Sequence, residues 1–138
     1  MAFRMEYSEE KKMILAEMEG PFDLPVVRKM ATMQARLVRE HNCYRFLNDS
    51  RKAEINTSIA DICKVPKIVN EEGVPGSCMC AIVVGTFRDE YRFMETIATN
   101  HGMIMRIFLE MDEAVEWLRA GTGEGRGGSR VKEEERNR

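Results

Sequence analysis

The sequence predicts an α/β domain with a mixed, mainly parallel sheet of four to five strands and about four helices. Strand-like segments alternate along the chain with segments whose apolar residues recur every three or four positions. Two of the strand-like segments, 78–86 and 103–109, are almost continuously apolar, which is typical of strands covered on both faces. The predicted order is β-β-α-β-α-β-α-β-α, in which the initial hairpin makes a parallel sheet mixed.

The first elements are a hairpin and a capped helix. Residues 3–7 alternate apolar with polar side chains, and a second apolar run covers 13–18. Asp23 is a favourable N-cap for the helix that follows. Its apolar residues recur at helical spacing as far as about His41, where we expect the helix to end.

The middle of the chain predicts a strand, a polar loop and a helix. The strand is short, 43–47, and the polar residues 48–51 form the loop. A helix carrying Ile59 and Ile62 follows, and Pro66 interrupts it.

The last third of the chain adds two strand–helix units. After the strand at 78–86, Asp89 opens a helix that closes at Gly102. After the strand at 103–109, Asp112 caps the final helix.

Composition limits the classes of function. The chain has 138 residues, enough for one domain, and 21 basic against 23 acidic residues leave a formal net charge of -2. Such a balance gives no field for nucleic acid, so we expect no nucleic-acid partner. The apolar runs are too short to span a membrane, and the first residues lack the pattern of a secretory signal. We therefore expect a cytoplasmic protein.

Composition changes once, and it divides the chain into a domain over 1–120 and a tail over 121–138. The tail is rich in glycine and charge and contains one apolar residue, Val131, so we expect it to be disordered. The four cysteines, Cys43, Cys63, Cys78 and Cys80, lack the Cys-x-x-Cys spacing of zinc and redox motifs. We predict buried, reduced thiols and no metal.

Four segments carry a resemblance to a known family. They are Asn48-Asp49-Ser50-Arg51, Ala81-Ile82-Val83-Val84, residues 93–102 and Asp112-Glu113-Ala114-Val115-Glu116-Trp117-Leu118. In this order and spacing they resemble the SpoIIAA-like proteins, a bacterial and archaeal group within the STAS fold. The resemblance spans nearly all of residues 3–120. It implies a four- to five-stranded sheet with helices, no catalytic apparatus, and a role in binding or regulation.

The resemblance also implies two kinds of site. Anti-sigma antagonists of this fold are phosphorylated at a serine that begins the helix after the third strand, within an Asp-Ser-Ser/Thr-Gly pattern. Asp49-Ser50 is the matching pair here, although Arg51 and Lys52 follow where a hydroxyl residue and a glycine are expected. The group is similar in fold to lipid-carrying domains as well, which implies hydrophobic-ligand binding or membrane association.

The residues themselves predict an anion or phosphorylation site at the end of the third strand. Its candidates are Asp49, Ser50, Arg51, Thr57 and Ser58. Open α/β sheets bind ligands at the carboxyl ends of their strands, where the free N–H groups of a helix favour an anion. The alternative is that the aspartate and the first serine satisfy loop backbone groups while the arginine is solvated.

A second candidate site is apolar. It is formed by flexible or branched side chains of the first and second helices, namely Met30, Met33, Leu37, Ile59, Ile62 and Val69. A lipid tail between them would find adaptable methionine surface, but a methionine stripe at helical spacing is also ordinary core. Arg28 and Arg36 on the first helix would contact anionic headgroups or be solvated.

No catalytic motif is present in the sequence. There is no glycine-rich phosphate loop and no Gly-x-Ser-x-Gly turn, and His41 and His101 lie near predicted helix ends. We predict a non-catalytic regulatory or ligand-binding module without a cofactor, whose partner is a protein or a small hydrophobic or anionic ligand. A lipid-binding protein with peripheral membrane contact and an unrecognised enzyme are the alternatives. The oligomeric state stays open.

Overall fold

The computed structural model describes residues 3–121 of the chain, which form five strands and five helices. In chain order these are β1 (Phe3–Ser8), β2 (Met13–Phe22), α1 (Leu24–His41), β3 (Arg45–Ile55), α2 (Ile59–Ile62), α3 (Val65–Glu71), β4 (Met79–Val84), α4 (Asp89–Asn100), β5 (Ile104–Phe108) and α5 (Met111–Ala120). The predicted order is confirmed, with the second helix divided into α2 and α3. The predicted tail lies outside the described residues, apart from Gly121.

The five strands form one sheet in the order β1-β2-β3-β4-β5. β1 pairs antiparallel with β2, and the three other neighbouring pairs are parallel. The mixed, mainly parallel sheet is therefore confirmed. Because β2 to β5 run in one direction, their carboxyl ends share one edge of the sheet and their amino ends share the opposite edge.

The two faces of the sheet are covered unequally. α1, α3 and α4 cover one face, and α5 packs on β3, β4 and β5 on the other. Successive strand residues point to opposite faces, so β3 contributes Phe46 to the first core and Leu47 to the second. α5 is fixed by Ala114 and Leu118, both fully buried. None of the described helices is long and apolar enough to cross a membrane.

The prediction of a polar loop at 48–51 is wrong, because these residues lie inside β3 between β2 and β4. Their side chains satisfy one another in pairs. On the face covered by α1, α3 and α4, Ser50 Oγ donates to Asn48 Oδ1 at 3.0 Å. On the face that carries α5, the Arg51 guanidinium donates to the Asp49 carboxylate at 2.8 Å. Residues two apart in a strand share a face, so polar side chains that bond each other in this way allow a polar run in a central strand.

Two prolines also differ from their predicted roles. β2 continues through Pro21, which pairs with Glu54 of β3; since β1 ends its pairing at Met18, this part of β2 is an edge of the sheet, where proline is tolerated. Pro66 does not interrupt a helix but lies in the first turn of α3, where a backbone N–H has no helical acceptor.

Of the two predicted helix N-caps, one is confirmed and the other is corrected. Asp23 caps α1, and its carboxylate accepts the Val26 N–H at 3.0 Å. Asp112 is not the cap of α5, because the cap position is Glu110 and Asp112 lies in the first turn. There its charge still complements the positive end of the helix dipole.

Candidate functional site

The carboxyl edge of the sheet carries three exposed apolar side chains. Ile59 follows β3, Phe87 follows β4 and Leu109 follows β5, and these side chains are 50 %, 37 % and 50 % exposed. They are all of the large apolar side chains that are exposed among residues 3–121. Because the three strands are neighbours in the sheet, the three side chains share one edge, which we call the apolar edge.

Polar groups surround the apolar edge. An open recess of about 660 Å³ lies between α2 and α4. It is lined by residues of the turn before α2 and of α4, namely Thr57, Ser58, Ile59, Asp89, Glu90, Arg92, Phe93 and Thr96. The Arg92 guanidinium lies 5.0 Å from the centre of the Phe87 ring, which connects the recess to the second apolar side chain. The surface therefore combines apolar groups with charges of both signs.

The residues predicted for an anion site do not form one site. Asp49 and Arg51 lie on one sheet face as an ion pair, and Ser50 is buried on the other face. Thr57 Oγ1 donates to the carbonyl of Phe22 in β2. Hydrogen bonds from the Arg51 guanidinium hold the pKa of the Asp49 carboxyl below its ordinary value, as expected for a pair that neutralises itself.

Ser58 occupies the position that the sequence analysis gave to Ser50. It begins the first helix after the third strand, and its exposed side chain accepts the Asp61 N–H at 3.2 Å. The sequence predicted Ser58 as a candidate of the anion or phosphorylation site, but Ser50 was taken as the matching serine because β3 was predicted to end too early. A signal was present, since a serine three residues before an aspartate is a common start of a helix.

The predicted apolar candidates are divided among several environments. Met30 and Val69 line an interior cavity of about 80 Å³ between the sheet and the helices α1, α3 and α4. Leu37 and Ile62 are core residues, Met33 is partly buried against the core, and Ile59 is exposed at the apolar edge. The cavity also meets the buried polar residues Gln34, Asn48 and Ser50. The structure thus brings two of the six candidates to one cavity.

A cleft of about 500 Å³ lies at the amino edge of the sheet, and the sequence analysis did not predict it. Its walls come from α3, the connection to β4, and residues 101–103 before β5. Lys67, Asn70 and His101 are exposed at its rim, and Cys78 and Met103 belong to its apolar wall. Among residues 3–121, no carboxylate belongs to its lining.

The thiols near this cleft are buried rather than activated. Desolvation raises the pKa of Cys80 to about 11, and it raises the pKa of Cys78 further. Both thiols are therefore protonated at neutral pH, whereas a reactive cysteine needs its thiolate. Within residues 3–121, no three His, Cys, Asp or Glu side chains form a group that could hold a metal ion.

Both histidines are engaged at helix ends. The His41 ring stacks on Tyr7 with 4.0 Å between the ring centres, which ties the end of α1 to β1. His101 Nδ1 lies 2.9 Å from the carbonyl oxygen of Ile97, so this nitrogen carries the proton and donates.

Comparison with known proteins gives no family model and no curated protein that matches the chain. Solved structures do match. A protein of the DUF3478 family from Shewanella loihica PV-4, described as having a SpoIIAA-like fold, aligns over 85 % of this chain and 92 % of its own with 13 % identity and a TM-score of 0.57. The chain has a SpoIIAA-like fold.

Two further structures with the SpoIIAA-like architecture agree. The anti-sigma factor antagonist SpoIIAA in its unphosphorylated form aligns over 86 % of this chain and 98 % of its own, with 9 % identity and a TM-score of 0.51. An anti-sigma factor antagonist from Mycobacterium paratuberculosis covers 86 % and 95 %, with 11 % identity and a TM-score of 0.56. The resemblance predicted from the sequence is confirmed at the level of the SpoIIAA-like fold.

Proposed function

We propose that this chain is a non-catalytic regulatory module that binds a protein partner through the apolar edge. One observation carries the proposal: Ile59, Phe87 and Leu109, all of the exposed large apolar side chains of residues 3–121, follow three neighbouring parallel strands. Apolar side chains that cluster on a surface with a polar rim are typical of protein interfaces. Scattered exposure would carry no such meaning.

The fold supports a protein as the partner class. Two of the similar structures are anti-sigma factor antagonists, which are regulators that oppose another protein. Fold alone does not transfer a function, so the position of the apolar edge provides the second support. It lies where open α/β sheets commonly place their binding sites, at the carboxyl ends of the strands.

Ser58 is the residue through which phosphorylation would control this docking. Its hydroxyl group is exposed and belongs to the residue next to Ile59, and the acidic residues Asp89 and Glu90 line the same recess. A phosphoryl group adds about 1.5 to 2 negative charges at pH 7. Arg92 lines the same recess, but a charged group beside the apolar contact would still weaken docking, because the apolar surface of a partner cannot solvate it. Ser50 does not suit this role, since it is buried and donates to Asn48.

The alternatives have weaker support. The interior cavity of about 80 Å³ is smaller than ligand pockets, which measure roughly 300 to 1,000 Å³. For membrane contact, the basic side of α1 is partly neutralised, since Arg28 pairs with Glu71 at the end of α3 and with Glu72 just after it. Binding of a lipid in the interior and an unrecognised enzyme stay predictions.

The experiment is a quantitative capture from an extract of the cells that produce the protein. The full chain, the variant Ile59→Glu and the control variant Lys29→Glu, which changes an exposed residue of α1, are each immobilised. We expect a protein that the wild type and the control retain, and that Ile59→Glu retains about thirtyfold less, because loss of a central apolar contact costs about 2 kcal/mol. Equal retention by all three forms would contradict the proposal.

A further inference from the structure

We propose that the cleft at the amino edge is a binding site for an anionic amphiphile, a molecule with a carboxylate head and an unbranched apolar chain. The cleft lies at the opposite edge of the sheet from the apolar edge. The proposal therefore goes beyond protein docking and does not rest on it. No motif in the sequence indicated this site.

Size and wall chemistry suit the chain of such a molecule. The volume of about 500 Å³ lies within the range of roughly 300 to 1,000 Å³ that ligand pockets occupy. Apolar groups make up most of the lining, including Val69, Val74, Pro75 and Met103. Methionine and valine walls offer dispersion contacts but no hydrogen bonds, so they favour an alkyl chain over a polar one.

Charge at the rim selects the head group. Lys67 is exposed at the cleft, and among residues 3–121 its ammonium group has no ion-pair partner. Asn70 adds amide donors, and in the described part of the chain no aspartate or glutamate belongs to the lining. In a chain with a formal net charge of -2, a cleft with a cation and without a carboxylate attracts an anion rather than a cation.

The cleft is preformed by its own backbone. Gly73 has a φ of +92°, which turns the chain away from the end of α3, and the Val74 N–H returns to the carbonyl of Val69 at 3.3 Å. The Cys78 N–H then donates to the carbonyl of Pro75 at 3.1 Å. A connection held in this way needs little ordering on binding, which keeps the entropic cost of the complex low.

The floor of the cleft adjoins the interior cavity. Val69, Cys80 and Met103 line both spaces, so side chains alone separate them. The end of an alkyl chain would contact these three side chains while its carboxylate stays near Lys67. The carboxylate head and the alkyl chain thus contact different side chains. Acetate can make only the first contact, and an alcohol of the same chain length can make only the second.

The test is a titration of the full isotope-labelled chain with three probes, followed by amide NMR. Decanoate has head and chain, decanol has the chain alone and acetate has the head alone. We expect decanoate to shift amides of 66–78 and 101–103 and to bind about fivefold more tightly than decanol, as one exposed ion pair allows. Acetate should cause no saturable shift.

Three variants sharpen the titration. Lys67→Gln should weaken decanoate binding about fivefold and leave decanol unchanged, while Lys29→Gln on the exposed side of α1 should change neither. Gly76→Phe adds a ring at a residue that lines the cleft, where a Cβ meets no atom within 4 Å, and should weaken binding of both probes.

Several outcomes would overturn the proposal. These are equal affinity of decanoate and decanol, shifts confined to residues outside the cleft, or unchanged decanoate affinity in Lys67→Gln. If the spectrum of Gly76→Phe shows an unfolded chain, the decanoate and decanol affinities of Lys67→Gln still test the proposal. Ile59→Glu should bind decanoate like the wild type, so failure here and failure of protein docking are separate results.

Discussion

The two edges of the parallel strands differ in shape more than in composition. At the carboxyl edge, Ile59 at the start of α2 and Phe87 and Leu109 in short connections are exposed on an open surface. At the amino edge, the connection between α3 and β4 forms one wall of a cleft of about 500 Å³. An open apolar surface suits another protein, and a concave apolar cleft with one cation suits a small anion. We therefore propose two binding surfaces of different kinds on one small sheet.

The largest expected difference is in the free energy of unfolding, between alanine variants of two isoleucines in the same helical turn. Ile62, the last residue of α2, is fully buried in the core, whereas Ile59, the first residue of α2, is half exposed at the apolar edge. Ile62→Ala should lower the free energy of unfolding by about 2 to 4 kcal/mol, because it leaves a cavity. Ile59→Ala should change it by less than about 0.5 kcal/mol. Urea denaturation measures both, and equal losses would show that Ile59 is a core residue.

A smaller effect should separate the two serines. Ser50→Ala removes the hydroxyl that donates to Asn48 in the interior, and should cost about 1 to 2 kcal/mol of unfolding free energy. It should leave phosphate labelling by cell extract unchanged. Ser58→Ala should abolish that labelling and cost about 1 kcal/mol, as the cap of a short helix. Labelling that persists in Ser58→Ala would remove the phosphorylated switch from the carboxyl edge.

The smallest effect concerns the Asp49–Arg51 pair on the sheet face, which belongs to neither edge. Its arginine holds the pKa of Asp49 below the ordinary value, so the stability from the charged carboxylate is present above about pH 3.9 and is lost as pH falls through the lower folded-state pKa. Asp49→Asn should cost less than about 1 kcal/mol at pH 7.

Thermal unfolding between pH 7 and pH 2 tests this pair. The difference between the wild type and Asp49→Asn should shrink as the wild-type carboxylate becomes protonated at the acid end. A difference that grows toward low pH would have the wrong sign. Added phosphate should not change the difference at neutral pH, since Arg51 already has its partner.

Much of the fold could be predicted because its signals are local. The Asp23 cap and the apolar runs that become β4 and β5 act over a few residues, and the order of elements followed from them. Residues 48–51 were mistaken for a loop because their polarity is local, whereas the partners that satisfy them depend on the two faces of β3. Tertiary pairing overrode the propensity there.

The sites were harder to predict than the fold. The cleft joins Lys67, Cys78 and His101, whose proximity depends on how β4 and β5 lie beside α3. The apolar edge depends on which isoleucine of α2 turns outward, and Ile59 and Ile62 look alike in the sequence. Among these residues Ser58 had a local signal, as an N-cap, but Ser50 was taken as the matching serine because β3 is longer than its apolar part.

Amide hydrogen exchange of the full chain with and without its captured protein partner tests the docking surface most directly. We predict slower exchange in the bound state at 57–62 and 87–93, around Ile59 and Phe87, and unchanged exchange at 66–78 in the cleft. Protection confined to 66–78, or protection elsewhere that leaves 57–62 and 87–93 unchanged, would contradict docking through the apolar edge.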